Sequence, residues 1–459
     1  MSMGKAKNTK AQNKYGLVQA LKSGSPLVYQ SAVICGLGSA VRGQLIKGIL
    51  YLAAEVFVVL YMIRNGLYNL EKLVTLGDVV QQKVWNEAKS LYEYMDGDRS
   101  LVILLYGIIT IAVLIFGIVI MCCSMKSAYR AETLHKEGKP VPSFREEVRE
   151  LFNNNLHKTL LSFPIAGVLA FTVLPLIFMM SMAFTNYSVT DNKLVLFDWV
   201  GLKNFKRMLS MGGSLGKTFW PVLGWTLVWA VLATFSNYIF GMLLSLFINW
   251  KEIRGKKFWR FCFVLTVAVP HFVTLLIIRQ MLQPEGAVNV LLRNMGLLGA
   301  KESLPFFTNT MWARVTVVLI NIWVGVPYAL LQITGILQNI PQELYDSARV
   351  DGAGPVMTFR KITLPYMLFV TTPYLITTFT GNVNNFNVIF LTSCGAPRPV
   401  ESTAGKTDLL VTWLYKLTID NQFYDVGAVV GIMTFITLSI VSLLTFRHSG
   451  SYKNEEGFR

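Results

Sequence analysis

Eight apolar stretches, each about as long as a bilayer crossing, constrain this chain more than any other feature. A helix needs about 20 predominantly apolar residues to cross a hydrocarbon core of roughly 30 Å. The chain is 53% apolar and only 15% charged, which is too apolar for a water-soluble core of this length. The sequence therefore predicts an all-α membrane protein with eight transmembrane helices. They are expected over residues 48–63, 101–123, 159–183, 219–248, 261–282, 311–331, 366–392 and 424–446.

The charge of the segments between these stretches predicts their orientation. The segment before residue 48 contains seven Lys and Arg and no acidic residue. Together with every second segment after it, it holds 25 basic and 11 acidic residues, whereas the alternate segments hold about 16 and 14. Lys and Arg are enriched on the cytoplasmic side of membrane proteins. We therefore expect both termini in the cytoplasm.

The predicted spans fall into two groups. Residues 1–158 form an N-terminal appendage with two spans, 159–446 form a six-span core, and 447–459 form a cytoplasmic tail. Apolar residues at helical spacing in the segment 64–100 predict a helix lying on the outer membrane face. The connector 132–155 is expected to be amphipathic and to lie along the cytoplasmic side.

A mostly polar segment, 339–365, separates the sixth and seventh spans and contains helix start and stop signals. A first helix is predicted to begin at Asn339, which forms a box-like start with Gln342, to contain Pro341 in its first turn, and to run to about Val350. Gly352 can adopt the left-handed conformation that ends a helix. The Gly-Pro pair that follows opens a second short helix, which should end before Pro365. The segment is therefore predicted to be a helical hairpin on a membrane surface.

The spacing within this hairpin resembles the EAA loop of ABC importer permeases. The matching anchors are Asp346-Ser347-Ala348, Gly352, Ile362 and Leu364-Pro365. That family usually has Glu where this chain has Asp346, which keeps the charge and shortens the side chain by one methylene. The resemblance implies docking into a groove on a separate ATPase subunit, so that this chain itself is not an enzyme. The residues expected to couple to the ATPase are Glu343, Asp346, Ser347, Ala348, Asp351, Gly352, Phe359, Ile362, Leu364 and Pro365.

Two core spans carry neutral polar residues on one helical face. Burying an amide or hydroxyl without a partner is costly, so such groups usually face a neighbouring helix or a water-filled cavity. Amides suit the hydroxyls of a sugar, and neither face has the counter-charge that a charged substrate requires. From the residues alone, it is equally consistent that these amides join the helices to one another. The two faces consist of Asn321, Val324, Gly325 and Tyr328 in the sixth span, and of Thr378, Gly381, Asn382 and Asn385 in the seventh.

Both faces are similar to the pore lining in the larger membrane subunit of maltose-type importers. The resemblance implies a bacterial plasma-membrane permease for maltodextrin-like oligosaccharides. It also implies a second permease subunit, an ABC ATPase dimer and an extracellular solute-binding lipoprotein as partners. The external segment 184–218 is about 35 residues long, shorter than the folded domain that the better-known form carries there. The residues that match sugar contacts in that family are Asn321, Gly325, Tyr328, Thr378, Asn382 and Asn385.

Other classes of function have less support in the sequence. The basic segments alternate with spans, so we expect no nucleic-acid binding. The five Cys and four His lack metal-ligand spacing, so we expect neither a metal nor another cofactor. Gly-Lys-Thr at 216–218 and 405–407 lacks the earlier glycine of a phosphate-binding loop. The alternative is an ion-driven secondary transporter or channel for a neutral solute, which predicts carboxylates within the membrane, where only Glu55 is found.

Overall fold

The computed structural model describes residues 15–448 except 88, 90, 95–96, 189–195 and 251. Nearly all of the predicted tail at 447–459 lies outside the described residues. The elements are α1 Leu17–Ser23, α2 Pro26–Val33, α3 Leu37–Val41, α4 Leu45–Thr75, β1 Lys83–Asn86, β2 Leu91–Tyr94, α5 Ser100–Lys136, α6 Phe144–Phe152, α7 Leu156–Met182, α8 Lys203–Leu209, α9 Ser214–Asn249, α10 Lys256–Ala268, α11 His271–Met281, α12 Ala287–Asn294, α13 Thr310–Leu337, α14 Gln342–Val350, α15 Pro355–Val383, α16 Phe386–Thr392, α17 Leu410–Tyr415 and α18 Tyr424–His448. Helices α4, α7 and α15 contain π-helical turns at Met62–Gly66, Leu169–Val173 and Phe359–Thr363, and a fourth π-helical turn, Lys416–Asp420, directly follows α17.

The chain divides into two compact units, Met1–Trp199 and Val200–Arg459. The span α7, which we expected to be the first of a six-span core, belongs to the first of these two units, together with the N-terminal helices. The functional boundary at 158/159 stays a prediction.

Seven helices in the described part of the chain are long and apolar enough to cross a membrane: α4, α5, α7, α9, α13, α15 with α16, and α18. The stretch 261–282, expected as one span, is instead the pair α10 and α11, which meet at 86°. Val269 is extended, with ψ at 128°, because the ring of the following Pro270 disfavours a helical conformation there. The helical membrane fold is therefore confirmed, with seven spans, or eight if the bent pair crosses as one.

In the first unit, a buried carboxylate joins the N-terminal helices to α5. Glu132 accepts hydrogen bonds from Ser25 Oγ at 2.6 Å, from Arg42 Nη2 at 3.1 Å and from Lys136 Nζ at 2.5 Å. Its side chain is only 5% exposed, and a buried charge is tolerated only when it is paired and hydrogen-bonded. This network fastens the segment ahead of the first predicted span to the end of the second.

The connector after α5 contains the short helix α6, which begins with a capping box. The backbone N–H of Ser143 donates to Glu146 at 2.8 Å, and this bond lowers the pKa of the Glu146 carboxyl. The next residue, Glu147, forms an ion pair with Lys47 of α4 at 2.7 Å. The connector is thus held against the start of the first span.

The segment 64–100 does not form the single surface helix that its apolar spacing predicted. Its first part completes α4, and its second part is an antiparallel hairpin of β1 and β2 in which Trp85 pairs with Tyr92. The two rings meet edge to face at 4.9 Å. Aromatic cross-strand pairs stabilise a two-stranded sheet. A search for helical periodicity does not detect a pairing between two strands, even when they are neighbours in the sequence.

In the second unit, α9 is the central helix and packs on both α13 and α15. It approaches α13 so closely that a Cβ on Gly241 would lie 2.6 Å from Cβ of Ala329. Towards α15, the indole of Trp229 donates to the Asn382 carbonyl at 3.1 Å, and the hydroxyls of Tyr238 and Thr371 lie 2.9 Å apart. Small residues and polar side chains commonly join membrane helices in this way.

A compact loop, 393–409, covers the end of these helices that is remote from the hairpin at 339–365. Its centre is Asp408, a buried carboxylate whose Oδ2 pairs with Lys416 Nζ at 2.6 Å and accepts the Gly405 backbone N–H at 2.6 Å. Trp225 of α9 donates to the Thr407 carbonyl at 3.2 Å. The loop is therefore fastened both internally and to the start of α9. We call it the distal loop.

Lys416→Met should destabilise the protein strongly, because it leaves Asp408 as an unpaired buried charge. Breaking a buried pair from one side typically costs about 3–5 kcal/mol. Thermal unfolding of the detergent-solubilised protein, followed by size-exclusion chromatography, measures the loss. Lys89→Met is the control, since Lys89 and Glu93 form an exposed pair expected to contribute about 0–1 kcal/mol. An equal decrease in unfolding temperature in both variants would contradict the role assigned to Asp408.

Candidate functional site

The predicted hairpin at 339–365 is present and turns at the predicted glycine. Helix α14 begins after Pro341, which precedes the first helical residue, and it ends at Val350. Gly352 has φ at +75°, in the left-handed region. A Cβ at this position would meet no atom within 4 Å, so the backbone conformation alone favours glycine here.

One side of this hairpin is anchored to the helices beneath it. The hydroxyls of Tyr345 and Thr363 lie 3.1 Å apart and join the two arms. Tyr345, Phe359 and Leu364 pack against a buried cluster that includes Ile333 and Met367. The hairpin therefore shares a packed core with both α13 and α15.

The other side of the hairpin is exposed and partly apolar. The side chains of Val350 and Val356 are 88% and 72% exposed, on either side of the Gly352 turn. Asp346 and Arg349 form an ion pair at 3.1 Å beside them, and both are more than half exposed. Exposed apolar residues with a charged border are typical of a surface that binds another protein.

The ten predicted coupling residues divide between these two sides. Those that are exposed and available to a partner are Glu343, Asp346, Ser347, Asp351, Gly352 and Pro365, whereas Ala348 is buried and Phe359, Ile362 and Leu364 are half-buried in the anchored side.

The second arm does not end before Pro365, contrary to the prediction. Helix α15 starts at Pro355 and passes through the π-helical turn Phe359–Thr363 into the membrane helix. Proline lacks an N–H and its ring crowds the carbonyl one turn earlier. The wider π-helical turn just before Pro365 accommodates the ring. The arm is therefore continuous with the seventh predicted span.

A polar cavity of about 280 Å³ lies between α9, α13 and α15, beside the start of α11. Six of the eight predicted substrate residues line it: Asn321, Val324, Gly325, Tyr328, Thr378 and Asn382. The two helical faces predicted from the sequence thus line the same cavity.

Gly381 and Asn385 are not among the residues that line this cavity. Gly381 is exposed, with open space where a Cβ would stand. Helix α15 ends at Val383, so the i+7 count from Thr378 does not extend to Asn385. Asn385 instead precedes α16 and accepts the Val388 backbone N–H at 3.2 Å.

The amide of Asn382 is engaged by the protein. Its Nδ2 donates to Thr234 Oγ1 of α9 at 3.0 Å, and its Oδ1 accepts from Asn385 Nδ2 at 3.4 Å. Asn382 therefore joins helices as well as lining the cavity. Asn321 differs, because its buried Nδ2 has no hydrogen-bond partner within the described residues.

Sequence reasoning missed several cavity residues. Asn237 lies on α9, and the signal that would have revealed it is the polar pair Ser236-Asn237 within an apolar helix. His271 begins α11 directly after the helix break, which the proline before it signals. The remaining lining residues are Thr234, Ala329 and Tyr374.

Gly325 provides space for Asn237. A Cβ on Gly325 would lie 2.2 Å from Asn237 Nδ2 and 2.7 Å from its Cγ, so α9 and α13 are in direct contact at this level. The gap left by the missing side chain is occupied by the Asn237 amide.

A second, apolar cavity of about 810 Å³ lies next to the polar one and shares His271, Val324 and Tyr328 with it. The rest of its lining comes from α9, α10, α11 and α13 and from Val269, and it includes Trp323, whose side chain is largely exposed. The polar cavity thus lies beside a larger apolar cavity.

The membrane helices, the polar cavity and the anchored hairpin define a multi-pass membrane transport protein. The comparisons with known proteins agree. Residues 237–450 match the family model of the binding-protein-dependent transport system inner membrane component. The chain is 34% identical over 430 residues to the galactooligosaccharides transport system permease protein GanP of Bacillus subtilis, covering 92% of this chain and 97% of that one. It is also 34% identical over 440 residues to the maltodextrin transport system permease protein MdxF of the same species, covering 93% and 96%.

Two further comparisons concern part of the chain. The maltose/maltodextrin transport system permease protein MalF of Escherichia coli is 33% identical over 253 residues, which is 54% of this chain and 48% of that relative. A chain of the bacterial alginate ABC transporter, solved with a periplasmic protein carrying an alginate pentasaccharide, aligns with a TM-score of 0.54 at 21% identity. That alignment covers 67% of this chain and 98% of the other, and it supports the fold. The chain belongs to the family of binding-protein-dependent transport system inner membrane components, the permeases of ABC importers.

Gly325→Ala should lower the thermal unfolding temperature, because the new methyl group collides with Asn237. Overpacking of this kind typically costs about 1–3 kcal/mol. Gly335→Ala on the same helix is the control, since its Cβ would meet no atom within 4 Å. Both variants can be compared by thermal unfolding of the purified protein. An unfolding temperature of Gly325→Ala equal to that of the unaltered protein would mean that the Asn237 side chain is free to leave this position.

Proposed function

We propose that this chain is the larger membrane permease subunit of an ATP-driven importer for neutral oligosaccharides, with maltodextrins as the first candidates. The observation that carries the proposal is the polar cavity between α9, α13 and α15. Its walls present amides, hydroxyls and two tyrosine rings, and none of the described residues lining it is Lys, Arg, Asp or Glu. Neutral hydrogen-bonding groups beside aromatic rings match the hydroxyls and the apolar faces of a sugar.

The relatives favour the same class of substrate. Two that match over nearly their full length are named for transport of galactooligosaccharides and of maltodextrins. The ion-driven alternative is less well supported, because none of the described residues that line the cavity is a carboxylate able to bind a coupling cation. A volume of about 280 Å³ suits a part of an oligosaccharide rather than a long chain in one piece.

In this proposal the hairpin at 339–365 lies in the cytoplasm, and both termini lie on the same side. An ABC ATPase dimer hydrolyses ATP and holds the exposed face around Val350 and Val356, while this chain performs no bond chemistry. Since the hairpin shares its core with α13 and α15, its motion reaches the two helices that line the cavity. A packed element with two discrete positions is what such coupling requires.

The other components follow from the same proposal. A second permease subunit completes the translocation path, and an extracellular solute-binding lipoprotein delivers the sugar to the side of the distal loop. The importer works in a bacterial plasma membrane. The appendage at 1–158 aids insertion or assembly.

Uptake measurements test the sugar site. Tyr328→Ala should raise KM for the transported oligosaccharide several-fold, because one neutral hydrogen bond contributes about 0.5–1.5 kcal/mol and apolar contact is lost as well. Proteoliposomes containing the complete importer, its binding protein and labelled maltotriose or a galactotriose provide the assay.

Asn384→Ala is the matched control for that assay. Asn384 follows the end of α15, is exposed, and does not line the cavity. Damage from Asn384→Ala together with normal uptake by Tyr328→Ala would contradict the sugar site. Absence of uptake of either sugar by the unaltered importer would contradict the substrate class.

Gly352→Ala tests the coupling role. A non-glycine residue at positive φ costs about 1–2 kcal/mol, so we expect weaker co-purification of the ATPase and slower uptake while membrane insertion is retained. Gly354→Ala is the control, since Gly354 has φ at −70° and open space around it. Gly352→Asn should lie between the two, because Asn tolerates the left-handed region. Equal ATPase binding in all three variants would refute the hairpin as the docking element.

A further inference from the structure

Five buried side-chain nitrogen and oxygen atoms in the described residues have no hydrogen-bond partner, and two of them belong to residues that line the polar cavity. These two are Asn237 Oδ1 and Asn321 Nδ2. Buried polar atoms in folded proteins are almost always bonded, so each exception requires an explanation. Two such exceptions on one cavity indicate that a ligand completes their bonding.

The two atoms belong to neighbouring parts of the cavity wall. Asn321 and Gly325 are four residues apart on α13 and therefore lie on the same face of that helix. Asn237 of α9 contacts α13 at Gly325, where it occupies the space that a Cβ would fill. Both residues therefore line the cavity, on two helices in tight contact with each other.

The chemistry of the two atoms differs in a useful way. Asn237 Oδ1 is an acceptor that needs a donor, and Asn321 Nδ2 is a donor that needs an acceptor. A hydroxyl group supplies both. A carboxylate has no hydrogen to give to Asn237, and an ammonium group has no lone pair to offer Asn321, so neither satisfies the pair.

We propose that Asn237 and Asn321 form a subsite for one hydroxyl group of the transported sugar. The hydroxyl donates its hydrogen to Asn237 Oδ1 and accepts from Asn321 Nδ2. This inference rests on the proposed sugar-import function and adds to it a binding residue on α9, the helix on which sequence reasoning placed none. Asn382 does not compete for this role, because its amide is already bonded to Thr234 and Asn385.

The subsite also explains why Gly325 is required beside it. With a side chain at 325, Asn237 would be pushed out of the wall and its Oδ1 would point elsewhere. Gly325 thus acts as a positioning residue, through Asn237 rather than by direct contact with the sugar.

Monodeoxy sugars test the proposal directly. The complete importer in proteoliposomes, with its binding protein, is assayed with maltotriose and with a series of maltotriose derivatives that each lack one hydroxyl. In the unaltered importer, the derivative lacking the recognised hydroxyl loses two neutral hydrogen bonds, so its KM should rise roughly ten- to a hundredfold. In Asn237→Leu, the KM for maltotriose itself should rise roughly three- to tenfold. The same derivative should then show a smaller additional rise than in the unaltered importer, because only the bond to Asn321 is left to lose.

The design separates this subsite from the other determinants of uptake. The binding protein is the same in every arm, so its own preference among the derivatives cancels in the comparison. Ser236→Ala is the matched control, because Ser236 Oγ is also buried without a partner on α9 but does not line the cavity. It should leave the whole series unchanged.

Thermal unfolding without sugar distinguishes a binding role from a structural one. Removing an amide that lacks a partner should leave the unfolding temperature of Asn237→Leu unchanged or raise it, whereas a structural role predicts a lower one. Should Asn237→Leu fail to insert, Asn237→Ala takes its place in both measurements.

Other outcomes would overturn the proposal. If every deoxy derivative kept its full penalty in Asn237→Leu, the two amides would bind water only. If the variant lost stability and uptake of all derivatives equally, Asn237 would be a packing residue. If the unaltered importer took up neither maltotriose nor galactotriose, both the proposed sugar-import function and the hydroxyl subsite would be refuted.

Discussion

The close approach of α9 to α13 is the contact on which the rest of the second unit depends. At Gly241 and Ala329 the two helices nearly touch, and at Gly325 the missing side chain admits the Asn237 amide. Without these small residues the helices would separate, and the walls of the polar cavity would no longer meet. In a membrane, where apolar surfaces gain little by leaving lipid, such tight packing is a main source of helix association.

That contact also links the cavity to the hairpin. Helix α13 carries Asn321 and Tyr328 in its middle and leads into the hairpin at its end, and α15 leaves the hairpin and returns to the cavity through Thr378 and Asn382. The π-helical turn before Pro365 keeps the second arm continuous with α15. A displacement at the exposed face around Gly352 therefore has an unbroken path of packed helices to the cavity, which is the physical condition for coupling.

The sequence predicted turns and helical faces better than strand pairing and helix ends. The hairpin turn at Gly352 was predicted correctly because it depends on one residue's backbone freedom. Six of the eight predicted substrate residues line the polar cavity, because helical periodicity places them on one face of each helix. The surface helix at 64–100 was wrong, since the pairing of Trp85 with Tyr92 joins separate strands. Asn385 was extrapolated beyond the end of α15, because a periodic count carries no information about where a helix stops.

The apolar stretches by themselves determined that this chain is a helical membrane protein, since hydrocarbon leaves a spanning backbone no other partner than its own carbonyls. The glycine and proline positions by themselves determined the hairpin. Only the tertiary structure decided which polar side chains have partners. Asn382 and Asn321 look alike in the sequence, yet Asn382 is bonded to Thr234 of α9 and Asn321 Nδ2 to no described group. That difference depends on contacts such as the one between Asn382 and Thr234, which are 148 positions apart along the chain and meet only when the helices pack.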